Sequence, residues 1–145
     1  MNAASMKRPT WFRVVAVLAL AWNLAGLAMA WMQYAMTPEQ LAQLPEAQRS
    51  LQEAFPGWLW AVDFVAVLAG TLGSALLLMG KRLALPVLRV SLVAVVVLFG
   101  YCLFPGRMLE VLGAAQALPM PILVTVVAIL LIWLARWAAA RGWIR

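Results

Sequence analysis

Histidine is missing from this chain, and cysteine occurs once, as Cys102. Without imidazole there is no bis-His haem, no His-ligated metal centre and no histidine general base. A single cysteine excludes a Cys-x-x-Cys redox pair, an intrachain disulfide and a cysteine-rich metal site. The four-helix membrane enzymes that form disulfides are excluded with them. Cys102 sits inside an apolar run and reads as a small buried hydrophobe. Acids are almost as scarce, being limited to Glu39, Glu46, Glu53, Asp63 and Glu110. Charged residues make up 11% of the chain, against about a quarter in an ordinary soluble domain. No nucleophile–base pair, metal cluster or phosphate-cradling loop is visible, so neither an enzyme nor a bound cofactor is expected.

What fills the chain instead is apolar, at 66% of 145 residues. Four long stretches, at about residues 11–34, 58–79, 83–104 and 118–137, each approach the ~20 residues a helix needs to span hydrocarbon. The sequence therefore predicts one all-α membrane domain over residues 1–145. It is an antiparallel bundle of four transmembrane helices, with an amphipathic helical outer segment over residues 37–55. Lys7, Arg8, Arg13, Lys81, Arg82, Arg89, Arg136, Arg141 and Arg145 fall at the start of the first stretch, between the second and third, or at the end of the fourth. The four glutamates fall in the other two connections. Positive charge stays cytoplasmic, so both termini are expected inside. The net charge of +6 is spread over three membrane edges rather than one patch. That favours the lipid bilayer as partner over nucleic acid.

Aromatic residues mark the same boundaries: Trp31, Tyr34, Trp58, Trp60, Tyr101 and Phe104 outside, and Trp11, Phe12, Trp133, Trp137 and Trp143 inside. Lys7-Arg8, the apolar run and Ala28-Met29-Ala30 imitate a cleavable signal peptide. The run is too long for a signal core, so it is read as a retained helix. In the outer segment, Thr37 with Gln40 forms a capping-box pattern and Pro38 suits the first helical position. Pro45 either kinks this helix or begins a second one. Leu41, Leu44, Leu51 and Phe55 share one face, the mark of an interfacial cover or of a lid. Glu46 with Arg49 and Arg49 with Glu53 stand at helical ion-pair spacing. The tight Gly80-Lys81-Arg82 link makes the second and third spans neighbours. The last outer connection has room for one short interfacial turn.

Polar residues at membrane depth are where function is sought first. Asn23 shares a face with Ala19, Gly26 and Ala30, the pattern of a close helix contact glued by an amide. Asp63 lies five residues past Trp58, about 8 Å of rise below the outer end. It leads a stripe of Ala66, Gly70 and Ser74, so it is expected to face protein. Its candidate partners are Arg107, Tyr101 and Asn23. It reads either as a structural pair or as a proton- or ion-binding carboxylate. Arg89 lies two turns into the third span and can snorkel to the cytoplasmic headgroups. Thr125, Ser91 and Ser74 can bond back to their own helix carbonyls.

With these residues laid out, the chain resembles a group of small bacterial four-helix inner-membrane proteins that often carry a sugar-transporter label. The likeness lies in Arg8-Pro9-Thr10-Trp11-Phe12-Arg13, Leu20-Ala21-Trp22-Asn23-Leu24-Ala25-Gly26, Met36-Thr37-Pro38-Glu39, Phe55-Pro56-Gly57-Trp58 and Gly70-Thr71-Leu72-Gly73. It covers about the first half of the chain, and only in architecture is the whole similar to DoxX-type proteins. The resemblance implies a bacterial inner-membrane location and transfers no catalytic residue. A noncatalytic accessory or structural subunit, with a homo-oligomer or another membrane protein as partner, is the expected role. The alternative is a small-solute or proton-coupled transporter, working as a homo-oligomer with Asp63 near its site.

Overall fold

The computed structural model describes residues 8–105 and 107–145, which are helical throughout apart from short links. Lys7 and Gly106 lie outside the described residues. Four helices are long and apolar enough to cross a membrane: α1 (Thr10–Tyr34), α4 (Gly57–Leu78), α5 (Ala84–Leu103) and α8 (Pro119–Ala140). Four short helices occupy the connections: α2 (Pro38–Ala42), α3 (Glu46–Ala54), α6 (Met108–Leu112) and α7 (Ala114–Ala117). Pro45 therefore separates two helices rather than kinking one, serving as N-cap of α3 with an extended ψ of 147°. The last connection holds two short helices where one turn was expected. Gly113, at φ 81° and ψ 159°, ends α6 and caps α7 in a backbone state that is essentially glycine's alone.

The exterior of the long helices is apolar. Leu18, Met32, Val93 and Trp133 are each at least 60% exposed, a surface suited to lipid and costly in water. The interior is built from small residues. Ala16, Ala19, Ala66, Ala84, Ala94, Ala135 and Ala138 are buried, as are Gly70 and Gly73. Between lipid-facing helices the apolar side chain gains little by leaving lipid, so close backbone approach and hydrogen bonds hold the contacts. Spanning helices next to each other along the chain are packed together: α1 on α4, α4 on α5, and α5 on α8.

The basic end of the molecule is tied together. The start of α1, the α4–α5 link and the residues after α8 meet there. Arg8 Nη1 donates to the Leu78 carbonyl. Arg145 N donates to Gly80 O at 2.9 Å, and Arg82 N donates to Arg145 O at 2.6 Å. Ile144 is buried beneath this clasp with Phe12 and Leu77. Trp11, Phe12, Trp137 and Trp143 form a ring cluster with centroids 5.0–6.2 Å apart, and Arg141 lies 4.2 Å over the Trp137 ring. Phe12, expected as a membrane-edge aromatic, is wholly buried and belongs to the core. The sequence placed it one residue from the edge, and the helical turn then faces it inward.

Candidate functional site

Three helices meet in a polar seam at mid-span. Gly70 of α4 lies against the Asn23 amide of α1, and a Cβ added at Gly70 would overlap Asn23 Oδ1. Asn23 Nδ2 donates to Ala19 O at 2.9 Å within its own helix, and to Ser74 Oγ of α4 at 3.2 Å. One turn away, Ser91 Oγ of α5 donates to Ala66 O of α4 at 2.7 Å. The same hydroxyl would stand 3.2 Å from a Cβ at Gly70, and Leu88 Cδ2 would stand 2.6 Å from one at Gly73. The stripe Ala66, Gly70, Gly73, Ser74 thus receives α1 on one flank and α5 on the other. Each cross-helix bond of this kind contributes about 1 kcal/mol.

Asn23 and Ser74 are thus brought together, Ser74 accepting from α1 where a bond back to its own helix was expected. Ser91 departs from the sequence reading: its hydroxyl leaves its own helix and holds α4. The missed signal was spacing, because Leu88, Ser91 and Val95 recur at three and four residues and mark the face of α5 that is turned inward. Among the described residues, every buried side-chain nitrogen or oxygen has a hydrogen-bond partner.

Asp63 sits above this seam, near the loop end of α4, and is half-buried. None of its candidate partners is held to it. Arg107 Nε pairs with Glu110 Oε2 at 2.9 Å, on side chains 73% and 69% exposed. Tyr101 packs edge-on against Trp58 at 5.2 Å. Asn23 is engaged at the seam. Asp63 therefore makes no hydrogen bond or ion pair among the described residues. Arg107 is committed locally, three residues from Glu110 at the start of α6, and its backbone is left-handed at φ 63°.

Above Asp63 the loop end is covered by aromatic and amphipathic pieces. Tyr34 meets Trp60 and Phe64 at 5.5 and 5.6 Å, and Phe55 meets Trp60 at 4.4 Å. The capping box is formed, with Gln40 N donating to Thr37 Oγ1 at 3.2 Å and Thr37 N donating to Gln40 Oε1 at 3.0 Å. Helix α3 lies beside α6 and is tied to α1 by Gln52 Nε2 donating to Gln33 O at 2.8 Å. The Glu46, Arg49 and Glu53 neighbours make no ion pair among the described residues. No group of three or more His, Cys, Asp or Glu side chains among the described residues could hold a metal ion.

No family model matches the chain, and neither a curated protein nor a solved structure matches it.

Proposed function

We propose that this chain is a bacterial inner-membrane protein serving as a noncatalytic accessory or structural subunit. It belongs by resemblance to the small four-helix proteins described above. Its four spans run antiparallel, both termini are cytoplasmic, and α2 with α3 forms an outer interfacial cover. The observation that carries this reading is the self-satisfied seam of Asn23, Ser74 and Ser91. A transport pathway needs polar groups left available to an ion or solute at membrane depth. Here the mid-span donors are consumed in holding helices together.

One observation favours transport instead: Asp63 is a half-buried carboxylate with no partner of its own. In a homo-oligomer such an acid could take a proton or cation. Purified protein in liposomes separates the readings. The structural role predicts no proton or solute flux, and Asp63→Asn then alters abundance or assembly alone. Flux by the purified protein that is abolished by Asp63→Asn would replace the structural role with transport. Labelling of single cysteines placed in α3 tests the orientation, with modification expected from the outer side only.

A further inference from the structure

A shallow groove of about 390 Å³ runs along the outward side of the α4–α5 pair. Val62 and Val65 of α4 form one wall, and Val90, Val93 and Val97 of α5 form the other. Arg89 closes the end nearest the basic rim. Arg89 lies about 8 Å of rise into α5 from the basic end, and Val90 and Val93 stand within the ~15 Å of hydrocarbon of that leaflet, while Val97, Val62 and Val65 lie beyond mid-span. Arg89 is exposed, and it makes neither a hydrogen bond nor an ion pair among the described residues. The glutamates all stand at the other end of the molecule, and Asp63 lies toward that end of α4.

A guanidinium at this depth is costly without an anion, and its side chain reaches naturally toward headgroups. Its forked donors match phosphate oxygens in geometry. The apolar walls beside it reject a free inorganic anion. A second copy of the chain fits poorly as well. Two-fold pairing of this face would set valine and Arg89 against valine and Arg89, with no acid supplied. A phospholipid answers both Arg89 and the valines next to it, because it carries a phosphate and an acyl chain in succession. Lys81 and Arg82, exposed on the neighbouring link, add a preference for a headgroup with net negative charge.

We propose that the basic-end part of the α4–α5 groove binds one anionic phospholipid from the leaflet at that end, with its phosphate on Arg89 and its acyl chain along Val90 and Val93. The inference depends on the membrane placement of the four helices, and it holds whether the protein is structural or a transporter. Native mass spectrometry of protein from micelles holding equal parts phosphatidylglycerol and phosphatidylcholine tests it. One retained phosphatidylglycerol is expected, at about fivefold preference over phosphatidylcholine. Arg89→Gln abolishes the preference, whereas Arg136→Gln, at an exposed basic site on α8, keeps it. Val93→Trp fills the groove and displaces the lipid with Arg89 intact, so it decides the matter should Arg89→Gln misfold. Equal retention of the two lipids by the unaltered protein overturns the proposal. So does phosphatidylglycerol retention unchanged by Val93→Trp, or a change in oligomeric state by Arg89→Gln without loss of lipid.

Discussion

The two ends of this molecule are built on different principles. At the basic end, three separate pieces of chain converge on a buried Phe12 and Ile144, and backbone hydrogen bonds clasp Gly80 and Arg82 to Arg145. At the loop end, the pieces that converge are half-exposed rings and short helices without a buried residue in α2, α3 or α6. The first arrangement removes side chains from any solvent and couples them. The second covers a surface and leaves each contact nearly independent. Low local density of buried contacts marks the segments that open first. The difference teaches that large buried side chains and backbone ties gather at one rim, while the other keeps Leu59 and Ala117 beneath a more exposed cover, with Asp63 on that side.

The sharpest way to break this comparison is to truncate one anchor at each end. Phe12→Ala removes a wholly buried ring and is expected to cost about 3–5 kcal/mol of stability. Trp58→Ala removes a ring that is 54% exposed and pairs only edge-on with Tyr101, for about 1 kcal/mol. Reversible unfolding in mixed micelles reads both values. If Trp58→Ala costs as much as Phe12→Ala, the asymmetry between the ends is wrong.

A finer comparison uses two glycines at positive φ. Alanine is strained by ~1–3 kcal/mol at Gly80, with φ 78°, and at Gly113, with φ 81° and ψ 159°. A Cβ at Gly80 would also stand 2.7 Å from Arg8 Nη1, while one at Gly113 meets nothing within 4 Å. Gly80→Ala is therefore expected to lose, beyond its backbone strain, about 1 kcal/mol for the Arg8 hydrogen bond to Leu78. An equal loss from Gly80→Ala with Arg8 present or replaced by alanine, read in thermal melts, would show that the Arg8 contact contributes nothing.

The smallest effects belong to the exposed loop end. Thr37→Ala removes the capping box and should loosen α2 by about 1 kcal/mol. Amide exchange in α2 quickens while global unfolding barely moves. Glu110→Gln breaks the exposed pair with Arg107 for about 0.5 kcal/mol or less, and high salt should erase even that. A global destabilisation from either change would make the loop end part of the core.

Much of this architecture was legible because hydrocarbon imposes long uninterrupted runs. The four spans start and stop within a few residues of the apolar stretches, and the Thr37–Gln40 box forms as its pattern required. The small-residue faces of Asn23 and Gly70 were visible too, since a missing side chain at helical spacing has few other uses. Partnership was not legible. Whether Ser91 bonds its own helix or Ala66 of α4 depends on a rotation of α5 that its all-apolar sequence barely constrains. Arg107 is a plausible mate for Asp63 by depth, yet Glu110 stands three residues from it on the same short helix start and takes it. Phe12 was misassigned because a ring near a membrane boundary suits the belt and the core equally.

The order in which the long helices pack has a consequence for biosynthesis. Each leans chiefly on the span made just before it, α4 on α1, α5 on α4, and α8 on α5. Contacts between near neighbours along a chain form early and need little search. A nascent polypeptide leaving the insertion machinery would thus find every new rod a ready dock, and the stripe on α4 would be covered on both flanks once α5 has emerged.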